Sequence, residues 1–134
     1  MRQINEIILH CSGTDIESYD FKSMKYDHVN NRGWSDVGYH AGIDWDGDIH
    51  ILRPINKAGA HCRGRNAHSI GICVLGLNSF SRIQMQQLGK LCDMFCMIFD
   101  LSKEDIKPHN FYNKNKTCPN FDFDKFLDEY VTVS

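Results

Sequence analysis

Residues of the kinds that bind zinc lie near both ends of the chain. His10 follows an apolar run close to the N-terminus, and His109 and Cys118 lie in a polar stretch, residues 107–121. Three protein ligands with one open position are typical of a catalytic zinc site, whereas a structural site is closed by four. We therefore predict that His10, His109 and Cys118 hold a zinc ion, provided that the fold brings the polar stretch beside the apolar run. Their spacing matches no short ligand motif, so the alternative on spacing alone is three unrelated residues.

Lys116 and Tyr39 could act beside such a metal. A zinc ion polarises a carbonyl and lowers the pKa of its bound water to about 7. Lys116, two residues before Cys118, could stabilise the oxyanion that forms when hydroxide attacks an amide carbonyl. Tyr39 could hydrogen-bond the attacking water or the carbonyl. The alternatives are a solvated lysine and an ordinary strand aromatic. A cysteine hydrolase, with Cys118 or Cys11 as the nucleophile beside a histidine, is also open.

The segment of residues 58–69 is glycine-rich and irregular, and it carries several polar side chains. These include His61, Arg63, Arg65 and Asn66. Such a loop suits the binding of a polar sugar-peptide, with Arg63 or Arg65 pairing with a carboxylate of the ligand. A loop that only contacts solvent fits the same composition equally well.

Length and charge exclude several classes of protein. A chain of 134 residues is long enough to bury a real core, so we expect a single domain over residues 1–134. The formal net charge of −2 argues against a nucleic-acid partner, because such proteins usually carry a basic surplus. No apolar run reaches membrane-spanning length, and the first residues lack an apolar signal core. We therefore expect no membrane partner, synthesis in the cytoplasm with reduced cysteines, and a monomer.

The hydrophobic pattern predicts the element order β-α-β-β-β-α-β-α, which is a mixed α/β domain with one central mixed sheet flanked by helices. The clearest helix starts at a Ser81–Gln84 capping box and runs to residue 100. Residues 107–121 are rich in asparagine and contain two prolines, so they are predicted to form an ordered loop without a helix. The remaining predictions are strands at residues 4–11, 39–45, 49–53 and 70–76, a short polar turn at residues 102–106 that leads into an edge strand, and helices at residues 20–31 and 122–130.

Five separated blocks of sequence, in order, resemble those of a known family. The chain resembles the zinc-dependent N-acetylmuramoyl-L-alanine amidases, or type 2 amidases, which share a fold with the peptidoglycan recognition proteins. Its layout is most similar to that of the small single-domain phage endolysins. The blocks are residues 8–14, residues 32–40, Asp46-Gly47 with Arg53-Pro54, residues 59–62 with 66–72, and Pro108-His109 with residues 116–119.

The resemblance implies a role for each candidate residue. By position, the zinc ligands are His10, His109 and Cys118, the catalytic residues are Tyr39 and Lys116, and the residues that line the substrate groove are His61 and Asn66. The resemblance also implies one zinc ion per chain. The implied reaction is hydrolysis of the amide between the lactyl group of N-acetylmuramic acid and L-alanine in peptidoglycan. An endolysin would act on the cell wall after its release from the cytoplasm.

Two features depart from the family pattern. Residues 110–112 follow His109, where many relatives have an acidic residue or an arginine, so contacts with the stem peptide are open. Cys11 directly follows a proposed ligand, and the alternation of side chains along a strand predicts that it faces the other side of the sheet. Two alternatives share the fold: a non-catalytic peptidoglycan-binding module, which typically lacks a metal ligand, and a cytoplasmic amidase that recycles muropeptides.

Overall fold

The computed structural model describes residues 1–34 and 36–134. Ser35, which belongs to the block of family resemblance at residues 32–40, lies outside the described residues. The strands are β1 (Glu6–Cys11), β2 (Ala41–Ile43), β3 (Ile49–Ile51), β4 (Ser69–Val74) and β5 (Ile106–Pro108). The α-helices are α1 (Phe21–Tyr26), α2 (Arg82–Phe99), α3 (His109–Tyr112) and α4 (Phe123–Tyr130). A π-helical turn (Asp27–Asn31) continues α1, and 3₁₀ turns occur at Asn66–His68 and Lys103–Asp105.

The strands form one five-stranded sheet in the order β3-β2-β4-β1-β5. Strand β1 runs parallel to both β4 and β5, and β2 is parallel to β4 but antiparallel to β3. The central strands β1 and β4 are buried along their whole length, as expected for parallel strands that are covered on both faces. The predicted mixed α/β class with a single mixed sheet is confirmed.

Helices α2 and α4 cover one face of the sheet. Leu88 and Leu91 of α2 and Phe126 of α4 form a core cluster with Ile7 and Leu9 of β1. The predicted capping box at the start of α2 is present, because the Ser81 side chain accepts the Gln84 backbone N–H and the Gln84 side chain accepts the Ser81 N–H. Among the described residues, no helix is both long enough and apolar enough to cross a membrane.

The opposite face of the sheet carries the candidate residue His10. Phe21 and Met24 of α1 form a second cluster there with Cys73 of β4. Leu9 belongs to the first face, and side chains alternate along a strand, so His10 lies on the second. His10 is in register with Cys73, which places it at the end of β1 beside the centre of the sheet.

The prediction that residues 107–121 contain no helix is wrong, because α3 lies within them. The single turn of α3 is closed by the Asn113 N–H, which donates to the His109 carbonyl at 3.1 Å. It is tied to the end of the stretch by the Asn110 N–H, which donates to the Cys118 carbonyl at 3.0 Å. Prolines and asparagines mark the ends of this stretch, but they do not prevent one helical turn between them.

Other element bounds differ from the predictions because pairing partners and packing decide them. Strands β2 and β3 pair over three residues each, which is shorter than predicted. The predicted turn and edge strand are both present, as the 3₁₀ turn at Lys103–Asp105 and as β5, which starts at Ile106. The helix predicted at residues 20–31 is α1 followed by the π-helical turn.

Candidate active site

His10, His109 and Cys118 converge at the end of β1. One ligand atom from each lies within 4.8 Å of the other two. His10 is the last residue but one of β1 and is 1% exposed, while His109 and Cys118 are half-buried. His109 is the first residue of α3, directly after β5, and β5 pairs with β1. The parallel pairing of β1 with β5 therefore brings the two histidines side by side, with ring centroids 4.4 Å apart.

Cys118 is held against the end of β1, where the strand edge is not paired with β5. Its Sγ accepts the backbone N–H of Cys11 at 2.8 Å. This N–H has no strand partner on that side, since β5 pairs with β1 only as far as Leu9. A thiolate accepts an N–H more strongly than a thiol does, so this contact favours the ionised form that binds metals.

The thiols of Cys11 and Cys118 influence each other. The neighbouring Cys118 thiol lowers the pKa of the Cys11 thiol, and the Cys11 thiol raises the pKa of the Cys118 thiol. The contacts of the Cys118 Sγ with Cys11 are made to the Cys11 backbone N–H, at 2.8 Å, and to its carbonyl, at 3.6 Å. Cys11 does not belong to the group of ligand atoms that lie within 4.8 Å of one another.

Burial keeps both histidines neutral near pH 7. The pKa of His10 is well below its usual value because of burial, with further lowering by His61 and His109. The pKa of His109 is lowered by burial and then by the positive charge of Lys116. The hydrogen bond with Cys11 and burial raise the pKa of the Cys118 thiol, while the Cys11 backbone N–H acts in the opposite direction. Metal binding requires neutral imidazoles and a thiolate, so a cation here has to displace only the thiol proton.

Tyr39 lies against His10, with ring centroids 5.0 Å apart. It precedes β2, and its ring packs beside the cluster formed by α1 and β4. Burial raises the pKa of Tyr39 well above its usual value, and the neighbouring thiols, that of Cys73 first, raise it further. Its hydroxyl therefore stays protonated at neutral pH and can donate a hydrogen bond to a group at the site.

Lys116 lies on the exposed turn between α3 and Cys118. Its backbone N–H donates to the Asn113 carbonyl at 3.0 Å, which fixes the turn while leaving the side chain in solvent. The lysine charge acts on the His109 imidazole, as the lowered pKa of that histidine indicates. The structure therefore brings Lys116 to the rim of the site.

His61 and Asn66 lie beside a groove of about 290 Å³ that adjoins the site. The Asn66 Oδ1 accepts the backbone N–H groups of His61 and Cys62, both at 2.9 Å, so Asn66 shapes the loop that forms the groove wall. Exposed Arg63 also lines this groove, together with half-buried Trp34. These residues form one wall of an open cleft next to the candidate metal position.

Arg65 does not line this groove. It forms an ion pair and an aromatic contact that the sequence analysis did not predict. Its guanidinium contacts the buried Glu6 carboxylate at 2.6 Å and lies over the Tyr112 ring, 4.4 Å from the ring centroid. The Tyr112 hydroxyl also donates to Glu6. The link ties α3 to the start of β1 and to the groove loop. The sequence feature that could have predicted this interaction is the carboxylate of Glu6 at the start of a buried strand, because a buried charge needs a partner.

A comparison with protein-family models identifies the family of the chain. The family model described as N-acetylmuramoyl-L-alanine amidase matches residues 1–121 of the chain. The chain belongs to the N-acetylmuramoyl-L-alanine amidase family. The match contains all three converging side chains as well as Tyr39 and Lys116. The prediction that the chain is a peptidoglycan amide hydrolase is confirmed.

Individual relatives agree with this assignment. The amidase is 27% identical over 146 residues to an endolysin of Klebsiella phage KP32, covering 99% of this chain and 91% of the phage protein. It is 29% identical to the solved N-acetylmuramoyl-L-alanine amidase LysC from Clostridium intestinale, with a TM-score of 0.85 over 96% of this chain and 85% of LysC. Drosophila PGRP-LB, at 23% identity, shares the fold with a TM-score of 0.82 over 99% of this chain and 85% of its own.

Acid should destabilise the metal-free amidase between about pH 6.5 and pH 4. Burial lowers the pKa of His40 from 6.5 to about 4 and that of His61 to about 3. In this window the unfolded chain takes up protons that the folded chain does not. The contribution of these histidines to the free energy of unfolding is therefore complete above pH 6.5 and decreases as the pH falls. Each unit of difference between the unfolded and the folded pKa of a histidine corresponds to about 1.4 kcal/mol of free energy of unfolding. Urea unfolding in excess chelator across this window measures the effect, and a constant midpoint would contradict the prediction.

Proposed function

We propose that this amidase uses one zinc ion, held by His10, His109 and Cys118, to hydrolyse the bond between N-acetylmuramic acid and L-alanine. The observation that supports it most is the convergence of the three ligand atoms within 4.8 Å on a half-buried surface. Two imidazoles and one thiolate are donors that zinc prefers, and three protein ligands leave one position open.

The surroundings of the three side chains fit a zinc ion. The imidazoles of His10 and His109 are kept neutral by burial, so they are ready to bind a cation. The Cys118 Sγ is aimed at the site by the Cys11 N–H, and its thiol needs a cation to ionise. Zinc, when bound, would supply a Lewis acid that polarises a carbonyl and activates water near neutral pH.

Tyr39 and Lys116 would act on the reacting groups. The Tyr39 hydroxyl, protonated and beside His10, would donate a hydrogen bond that orients the attacking water or the scissile carbonyl. The exposed Lys116 ammonium would stabilise the oxyanion that forms when the carbonyl is attacked. Its position in solvent leaves it free to close on a substrate.

The groove beside His61 and Asn66 would bind the sugar-peptide around the scissile bond. Its wall is built by Asn66, whose Oδ1 holds two backbone N–H groups of the loop. Exposed Arg63 would pair with a carboxylate of the stem peptide, while Arg65 is already paired with Glu6. Full-length similarity to a phage endolysin supports cell-wall peptidoglycan as the substrate, reached after release from the cytoplasm.

Metal content and cell-wall clearing together test this proposal. The purified protein should contain one zinc ion per chain, and it should reduce the turbidity of purified cell walls. Chelation should abolish clearing, and added zinc should restore it. Absence of zinc would rule out the ligand set, whereas activity that resists chelators and is blocked by thiol alkylation would favour a cysteine hydrolase.

Replacing Tyr39 with phenylalanine should lower turnover by about 10²-fold or more while zinc content is unchanged. The substitution removes only the hydroxyl, and the ring that packs against His10 is retained. The matched control is Tyr19→Phe, because Tyr19 packs against the same cluster. Turnover of soluble muropeptide measures both variants, and equal activity of Tyr39→Phe and the wild type would remove Tyr39 from the mechanism.

A further inference from the structure

We propose that His61 is a positioning residue that orients the His10 imidazole so that its Nδ1 faces the metal. This inference rests on the proposed zinc site. The His10 Nε2 and the His61 Nδ1 are 2.9 Å apart, and the two rings meet edge to face at 89°. An imidazole has two nitrogens, and the contact with His61 occupies Nε2, so Nδ1 is the atom left to bind a cation.

Metal binding by His10 through Nδ1 would fix the proton positions along this hydrogen-bond chain. A neutral imidazole carries one proton, and the nitrogen that binds a metal must be the one without it. When His10 binds through Nδ1, its proton is on Nε2 and is donated to the His61 Nδ1. His61 then carries its own proton on Nε2, which lies 3.1 Å from the Ser69 Oγ and donates to it. The chain His10–His61–Ser69 thus gives every ring nitrogen that is turned away from the metal a hydrogen-bond partner in the metal-binding tautomer of His10.

The His61 ring packs closely against the backbone of two glycines. A Cβ at Gly71 would lie 2.5 Å from the His61 Cγ, and a Cβ at Gly59 would lie 2.5 Å from its Cδ2. The His61 backbone N–H is fixed by Asn66. Two glycines therefore create the space for this ring, and its position is decided before any ligand arrives.

These contacts separate the role of His61 from direct substrate binding. Its side chain lies beside the groove, but the residue is 9% exposed, and both ring nitrogens are used inside the protein. A partner behind a metal-binding histidine typically contributes 10–100-fold to metal affinity. His61 would therefore act on substrate only through the geometry of His10.

Two variants of equal shape test the proposal. Asparagine and leucine have nearly the same size, but asparagine keeps an oxygen acceptor where the His61 Nδ1 lies. His61→Leu should lower zinc affinity by roughly 10–100-fold, measured by competition with a chromogenic chelator, and His61→Asn should retain most of it. Equal zinc affinity of the two variants, whether high or low, would overturn the proposal, because the acceptor would then make no difference.

Two further measurements do not depend on these variants folding. In the wild-type protein, ring ¹⁵N spectra should place the proton of both His10 and His61 on Nε2, and a proton on the His10 Nδ1 in the zinc-bound protein would overturn the proposal. Ser69→Ala, which removes the acceptor at the end of the chain, should lower zinc affinity less than His61→Leu does. If the wild-type protein bound no zinc, the proposed zinc site itself would be wrong. That result is distinguishable from a failure of the His61 proposal, because it is obtained before any variant is compared.

Discussion

Replacing Cys118 with serine should eliminate bound zinc and reduce amide hydrolysis to background. A serine hydroxyl stays protonated at neutral pH, so it cannot replace the thiolate as an anionic ligand. Zinc affinity should fall by more than the roughly 10–100-fold that is typical when a hydrogen-bond partner behind a metal ligand is removed. Serine retains an acceptor for the Cys11 N–H, so the loop should keep its position. Zinc per chain after dialysis and turnover of purified peptidoglycan measure the result.

Cys11→Ala is the matched control for this experiment. It removes a thiol that raises the pKa of Cys118, but it keeps the backbone N–H that holds the Cys118 Sγ. The variant should retain one zinc ion per chain. If Cys118→Ser retained zinc while Cys11→Ala lost it, the ligand would be Cys11, and the proposed set would be incorrect.

Replacing Lys116 with alanine should lower turnover by about 10²–10³-fold without removing zinc, the loss that follows when one donor to an oxyanion is deleted. Lys116 is exposed and lies outside the three converging side chains, so neither the fold nor the metal position depends on it. The defect should appear in kcat, because the oxyanion exists only in the transition state and the intermediate.

Lys114→Ala provides the comparison for Lys116→Ala. Lys114 is also exposed and lies two residues away on the same turn, 5.6 Å from the Phe111 ring centroid. Its removal takes away the same charge, so a general electrostatic effect on substrate binding would lower both activities alike. Only a selective loss at Lys116 supports a role at the reacting carbonyl, and a loss of zinc in Lys116→Ala would instead indicate a structural role.

Local patterns predicted the elements whose stability is local. The buried runs of β1 and β4 and the capping box and apolar stripe of α2 are visible in a few neighbouring residues, and the structure contains all three. The short elements β2, β3 and α3 were less predictable. Each has only three or four residues, so its bounds depend on distant partners and not on its own propensity.

The sequence by itself determined the candidate ligands and the family to which the chain belongs, but it did not predict the helical turn α3 on which His109 lies. The tertiary structure alone decided how the ligands are aimed. The contact of Cys118 with Cys11 spans 107 positions, and that of His10 with His61 spans 51. Both depend on strand register: β5 stops pairing at Leu9, which frees the Cys11 N–H, and Gly71 on β4 leaves the space that His61 fills. Hydrogen bonds over such distances follow from the assembled sheet, because no local pattern records which strand edge is left unpaired.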